Sequence, residues 1–495
     1  METALRALLK VIGPARGPFG RIQAIQVGCH GNVVMTSSSR HTMNLLSLEN
    51  PYFKIIKSGT VGHLNNFHDG GLLVATFATK LVLAGLSSEI PRQLVISVYA
   101  HARSLCLEHL DGDSGMVVSL ELNDAEMMLN VVKSILCSKP LCCLSPLSLQ
   151  SLALLLVKAY FTTLPISLAH DSPLERVRFT LLRGEESDKS ELFDGVLLTT
   201  SPQSKQFVKT LQNMKKFTVA VFNISLAGDA EDWPERLTVD LLGYDFSDDG
   251  SFKSLIDCAD ELIRLGVNLV VCQKCIHPGM KSHLQSKGVL SIDRVSIQCI
   301  EAVGSVSGAS FLSDVHPPFP MTSFGRLEEI NYIIRHEKCF LQLKPPMSAG
   351  EMPINTILLC ASNETSLDEL KSTCEQTICT LTHVVTKAIR GGGWMERQLA
   401  DHLRCSKPDN DILHKLRLTK SQYGTIIERF AQCLDALAVQ LDPLDGMLTD
   451  RPHPRNSTNA EQASVFDSYV VKLNALSTAI EIAIACLRVT NVISE

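Results

Sequence analysis

The chain has 495 residues, 45% of them hydrophobic and 20% charged, with a mean hydropathy of +0.13, a net charge of −6 and a pI of about 6.2. That length holds two to four domains with substantial cores. The acidic balance excludes a basic field for nucleic acid, and no run of five or more like charges marks a polyionic tail.

The opening METALRALLKVIGPARG lacks the apolar core and small-residue cleavage site of a signal peptide. Residues 1–138 read as mostly helical, interrupted by a strand hairpin over residues 23–38 with His30-Gly31-Asn32 as its turn. In FHDGGLLVATFATK, residues 67–80, Leu73, Phe77 and Leu81 recur every four residues and so share one face of a helix. Asp69 stands at the N-cap of that helix, beside N–H groups without partners, where anions and their metals bind. An Asp that only caps an ordinary helix leaves the same signature. Residues 140–170 are Leu-rich and helical. The apolar runs LLVATFATKLVLAGL and LALLLVKAY are broken by Lys80 and Lys158. Both fall short of a bilayer's thickness and read as buried helices, so no membrane span is expected.

The pattern changes after residues 177–200. FTVAVFNISLA, FKSLIDCADELIRLG, VNLVVCQK and VLSIDRVSIQCIE alternate short apolar runs with helical stretches, which predicts α/β layering. Within them, Phe252, Leu255, Ile256, Ala259 and Leu262 form one apolar face, suited to a partner or to packing on a sheet. Cys272, Cys275 and His277 make a CxxCIH run. It lacks a second ligand pair at zinc spacing and reads as ordinary packing. From residues 354–362 onward the chain is helical again. It passes a polar loop at residues 450–462 and closes in a long helix over residues 468–493. The order is helical, α/β, helical, so the two ends fold together. The sixteen cysteines, spread through so long a chain, fit a reducing cytosol.

Three glycine-bearing loops could let a backbone approach a phosphate: Gly17-Pro18-Phe19-Gly20-Arg21, Asp69-Gly70-Gly71, and Gly391-Gly392-Gly393 ahead of the helix MERQLADHL. None has Walker or Rossmann spacing.

Together these loops resemble those of the group II chaperonins. GPFGR is similar to the family's GPxGxxK, HDGGL to GDGTT, and RGGGWMERQL to GGGAxExxLS, with Glu396 at the family's glutamate. LVVCQKCIHP, VLSIDRV, Ser307-Gly308-Ala309, NTILLCAS and KLNALSTAIEIAIACLRV resemble further family stretches. The likeness covers nearly the whole chain. CQKCIHP, IDRV and DELKSTC are most similar to the Bardet–Biedl chaperonin-like group. The resemblance implies an α/β multidomain fold in which a helical equatorial domain is interrupted by intermediate and α/β apical domains. The implied segments are equatorial 1–139 and 388–495, intermediate 140–190 and 350–387, and a client-facing apical domain 191–349. The sixteen residues before GPFGR are fewer than the family's leader, which implies an altered strand contact between neighbouring subunits.

The same resemblance implies a degenerate ATPase. Ser38 takes the place of an aspartate near the metal, and Arg40 and His41 follow it. Asp69 is kept, but Gly71 and Leu72 replace two threonines. Gln376 falls at the third acid's position, and the side chain of Glu375 turns about 100° away from it. The expectation is no catalytic residue and no metal ligand. ATP with Mg²⁺ would be held weakly, if at all, through Gly17, Pro18, Gly20, Asp69, Gly70, Gly391, Gly392 and Gly393. The implied partners are other Bardet–Biedl chaperonin-like proteins and cytosolic chaperonin subunits. The implied client is the BBSome, and the implied place is the cytoplasm and the centrosome or ciliary base. Two alternatives stay open: an ATP-hydrolysing chaperonin subunit, and a scaffold that binds no nucleotide.

Overall fold

The structure is a computed structural model that describes residues 2–26, 31–112, 117–119, 124–163, 176–200, 216–228, 249–346, 354–384, 387–406, 408, 410–441 and 465–490. It divides into two compact units, Met1–Lys158 with Ala361–Glu495, and Ala159–Cys360. The residues assigned by resemblance to an intermediate domain are shared between them: 140–158 and 361–387 join the first unit, the rest the second.

The first unit opens with α1 (Glu2–Ile12) and an antiparallel hairpin, β1 (Gln23–Gln26) and β2 (Val33–Thr36), with Gln23 opposite Thr36. The hairpin is where the sequence predicts it; His30 of its expected turn lies outside the described residues. Helices α2 (Ser39–Leu45), α3 (Pro51–Phe67), α4 (Gly71–Leu86) and α5 (Arg92–Asp111) follow. Then come β3 (Val117–Ser119), α6 (Ala125–Cys137) and α7 (Pro146–Thr163). Local chemistry sets several starts. Asn50 accepts from the Tyr52 N–H ahead of Pro51, and Asp124 accepts from the Met127 N–H. Leu73, Phe77 and Leu81 are all buried, as their spacing predicts, but α4 is buried on its other faces too.

The second unit is α/β. It contains β4 (Val177–Arg183), β5 (Glu191–Asp194), β6 (Val196–Thr200), β7 (Phe217–Phe222), α8 (Asp249–Arg264), β8 (Leu269–Cys272) and α9 (Pro278–Ser286). It continues with β9 (Leu290–Ile292), α10 (Ile297–Ser307), β10 (Phe311–Leu312), β11 (Gly325–Leu327), β12 (Glu329–Arg335), β13 (Lys338–Lys344) and β14 (Asn355–Ala361). The central sheet runs β10-β7-β8-β9, all parallel, with β11 antiparallel to β7. Two three-stranded sheets, β12-β13-β6 and β4-β14-β5, complete the unit. One stretch, VLSIDRVSIQCIE, divides between two elements. VLSID forms a strand, but SIQCI opens α10, because Ser296 accepts from the Cys299 N–H and starts a helix there. Leu255, Ala259 and Leu262 of α8 are fully buried with Ala220, Phe222 and Val270 of the sheet, while Phe252 is 38% exposed. That face is core, and residues 243–248 before it lie outside the described residues.

The chain then returns to the first unit with α11 (Glu364–Val384), β15 (Lys387–Arg390), α12 (Trp394–Cys405), α13 (Asn410–Leu416), α14 (Lys420–Val439), β16 (Phe466–Ser468) and α15 (Tyr469–Arg488). Strand β15 lies between β16 and β3, so the two ends of the chain share one small sheet. Phe77 and Tyr99 both meet the ring of Phe430 edge-on, at 5.6 and 5.4 Å between centroids. Among the described residues, α15 is long and apolar enough to cross a membrane by length and composition. Ala475, Ala479, Ile480 and Ala483 bury it in this core, as a helix inside a folded unit does. The loop expected at residues 450–462 lies outside the described residues.

Candidate functional site

The three glycine loops meet around the first turns of α15 and the end of α14. In the first, Gly17 has φ +83°, Pro18 follows it, and Gly20 donates its N–H to Gly17 O at 2.9 Å. A Cβ on Gly20 would lie 2.4 Å from Ala15 O, and one on Gly17 would lie 2.6 Å from the Leu441 side chain. In the third loop, a Cβ on Gly391 would lie 2.6 Å from Asp467 Oδ2. Gly393, at φ +83°, starts α12 with its Cβ direction 3.0 Å from the Ala438 backbone. Of the six cradle glycines only Gly392 has nothing within 4 Å of its Cβ direction. Tight packing of the chain on itself therefore accounts for most of these glycines. Gly393→Ala is expected to cost about 1–3 kcal/mol through its left-handed backbone and the close Ala438. Thermal unfolding measures this, and an unshifted midpoint refutes it.

The second loop corrects one expectation. The N-cap of α4 is Gly70, at φ +77°, and not Asp69. The chain leaves α3 through His68, also left-handed at φ +61°, and reaches α4 with no side-chain cap. The Asp69 carbonyl lies 2.8 Å from His63 Nε2, and His63 Nδ1 lies 2.7 Å from Asn474 Oδ1 on α15. The Asp69 carboxylate has no hydrogen-bond partner among the described residues. The place of one missing threonine side chain is filled, since a Cβ on Gly71 would lie 2.7 Å from the Leu64 side chain. Leu72 is buried in the core.

A buried ion cluster ties the first and third loops to α15. Glu396 Oε1 accepts from Lys472 Nζ at 2.9 Å and from Arg16 Nη2 at 3.1 Å. Lys472 also reaches Asp467 Oδ2 at 3.1 Å, and Arg16 Nη1 donates to Leu437 O at 3.0 Å. Burial pushes the Glu396 carboxyl up, but Lys472 and Arg16 outweigh it and hold its pKa down to about 2. Burial alone would lower Lys472; Asp467 and Glu396 reverse that and leave it raised. The sequence marks Glu396 through its motif. It gives no signal for Arg16 or Lys472, which reach the site from 380 and 76 residues away.

The Ser38 turn is built on Glu369, a residue the sequence reading passed over. Glu369 is buried on α11. It accepts from Ser37 N at 2.9 Å, Ser37 Oγ at 2.8 Å and Thr36 Oγ1 at 3.0 Å, with His41 Nδ1 at 3.6 Å. Burial raises its pKa, and the bonds from His41, Ser37 and Thr36 more than offset that, leaving it lowered. The same bond raises His41, against its own burial. Arg40 reaches across from this turn. Its guanidinium donates to Leu64 O, lies 3.1 Å from His68 Nδ1 and donates to Asn65 Oδ1 at 3.3 Å. Burial pushes the Cys379 thiol up to about 11, Glu375 adds to that, and Arg40 pulls against it. Arg40 thus stands on the end of α3, beside Asp69's neighbour His68. Gln376 is 8% exposed, and its Nε2, like Ser39 Oγ, is buried without a partner among the described residues. Glu375 points away to Lys371 at 3.7 Å, as helical geometry predicts.

The donor set can be tested against a magnesium ion. Such an ion takes about six oxygen ligands, commonly one or two carboxylates with substrate phosphates and waters. Glu369 accepts three hydrogen bonds and faces His41, Ser38 and Gln376 are neutral, and Asp69 is the one acid of the three expected positions left to offer a carboxylate. Among the described residues no three His, Cys, Asp or Glu side chains converge to hold a metal ion. Asp69 could supply a single carboxylate to a Mg²⁺ held mainly by nucleotide phosphates and water, but Ser38 and Gln376 add no second negative charge. An orphaned amide N–H at Gln376 fits a phosphate oxygen or a water.

A sequence model of the TCP-1/cpn60 chaperonin family matches residues 8–443. The chain belongs to the TCP-1/cpn60 chaperonin family. Its relatives include the human protein named Molecular chaperone MKKS, 28% identical over 457 residues, which covers 91% of this chain and 79% of that protein. The mouse protein of the same name is 28% identical over 477 residues, 94% of this chain and 82% of its own. Thermosome subunit beta of Sulfolobus acidocaldarius is 23% identical over 532 residues, 99% and 89%. MKKS, the McKusick–Kaufman protein, is the relative to which CQKCIHP, IDRV and DELKSTC point. Chaperonin membership accounts for the helical, α/β, helical order.

Proposed function

We propose that this chaperonin-family chain assists the assembly of a protein complex without running an ATP hydrolysis cycle of its own. The observation that carries this is Arg40, a cation held on Leu64, Asn65 and His68 just before Asp69's loop, in a site where two of three expected acids are Ser38 and Gln376. Hydrolysis needs carboxylates that grip a metal and orient water, and removing groups that act together costs several orders of magnitude in rate. Residual nucleotide binding would run through the glycine loops and the Gln376 amide. The name of the MKKS relatives supports a chaperone role, and by resemblance the partners are other Bardet–Biedl chaperonin-like proteins and cytosolic chaperonin subunits. The client is then the BBSome, handled in the cytoplasm near the ciliary base.

Purified protein is expected to release phosphate from Mg-ATP no faster than a buffer blank. Steady turnover that follows the protein through size exclusion, free of other chaperonins, overturns the reading. Co-purification from cells tests the partners. Recovery without any chaperonin-type subunit favours a lone scaffold.

A further inference from the structure

Away from the glycine loops, α1, α4 and α14 of the first unit border a wide, solvent-open cleft of about 310 Å³ lined by Leu9, Lys80, Ser87, Arg429, Gln432 and Cys433, among others. Two of these are cations, and among the described residues the lining contains no acid. Lys80 is half-buried at the middle of the otherwise apolar α4 and makes no hydrogen bond or ion pair among the described residues. Burial pulls its ammonium pKa down; the Cys433 thiol pulls it back, and Arg16 pushes it further down. No carboxylate among the described residues acts on it. Arg429 places one N–H 3.5 Å from Ala84 O, at the carbonyl end of α4, and makes no ion pair among the described residues. The acids nearest along α14 are already taken: Arg404 holds Glu428 at 3.1 Å and Asp435 at 2.7 Å. Gln432 Nε2 also turns to Glu428 at 3.2 Å.

We infer that this cleft binds a small phosphate-type oxyanion between Lys80 and Arg429. A half-buried ammonium without a counter-ion is costly, and that cost is relieved when an anion enters. Arg429 supplies the planar fork that suits a tetrahedral oxyanion, and Lys80 supplies the point charge. Two uncompensated positive charges match a dianion. The cleft has room for inorganic phosphate or for the phosphate end of a small metabolite, both recognised by the same chemistry.

The test uses the full-length protein, with thermal unfolding and ³¹P line broadening as readouts. Inorganic phosphate is titrated against sodium chloride at equal ionic strength, and glycerol 3-phosphate is run as a second arm. Phosphate is expected to raise the melting temperature beyond the chloride control and to broaden its own ³¹P line. Lys80→Met and Arg429→Met keep the apolar stems and should each weaken binding at least tenfold. Circular dichroism and size exclusion check their folding. Arg103→Met, a surface change elsewhere in the unit, should leave binding unchanged and controls for general charge loss. A tighter response to the ester marks a metabolite's phosphate end, and an equal response marks the free ion. No excess stabilisation over chloride in the parent protein, or equal binding by folded Lys80→Met, overturns the inference.

Discussion

Lys472→Met is expected to destabilise the first unit by about 4 kcal/mol, because it leaves Glu396 charged, buried and short of a partner. One oxygen of Glu396 has no partner among the described residues, so they offer the cluster no spare donor to compensate. The pH dependence identifies the cause. Glu396 has a folded pKa of about 2 against 4.5 unperturbed. A depressed acid contributes stability above its unfolded value and loses it as pH falls through the folded one. Glu396 therefore supplies about 3 kcal/mol that fades between roughly pH 4.5 and 2. Urea midpoints across that range should fall steeply for the parent protein and less steeply for Glu396→Gln. The double variant Lys472→Met with Glu396→Gln should recover part of the single variant's loss, since the buried charge is gone. A Lys472→Met midpoint within error of the parent would show that the cluster is dispensable.

Glu369→Ala has the second largest expected effect, about 3 kcal/mol, because the Thr36 hydroxyl and the Ser37 amide and hydroxyl lose their shared acceptor inside the fold. Two titrations bound its contribution. Glu369 is depressed from 4.5, so its share is present above that pH and lost below it. His41 is raised from 6.5, so its share is complete below that value and lost as pH rises through the folded one. The difference between parent and variant should therefore be greatest between about pH 4.5 and 6.5 and shrink on both sides. Denaturant melts at several pH values measure it; a difference that does not change with pH would remove His41 from the account. The Ser38 turn is also expected to loosen, with faster amide exchange at Ser37 and Ser38.

The sequence could show this much because the signals were local. Four-residue spacing found α4, strand and helix alternation found the α/β unit, and short glycine motifs found the three loops and the family. It failed where geometry overrides pattern. Asp69 looked like a cap, but left-handed His68 and Gly70 turn the chain so that Gly70 takes that position. VLSIDRVSIQCIE read as one stretch, but the Ser296 hydroxyl starts a helix within it. Glu369 was one more acid in a helix, and only its burial against Thr36 and Ser37, more than 300 residues earlier, sets it apart.

By itself, then, the sequence determined the family, the order of helical and α/β segments, and where the three glycine loops lie. Those facts are written in residue identity and in spacing over one or two turns. Only the tertiary structure decided which glycines are filled by their own chain, that Arg40 reaches His68, that Arg16 and Lys472 close on Glu396, and that Lys80 and Arg429 line one cleft without an acid. Each of these depends on side chains distant in sequence meeting in a low-dielectric interior, where a charge's partner is fixed by folding and leaves no trace in local pattern.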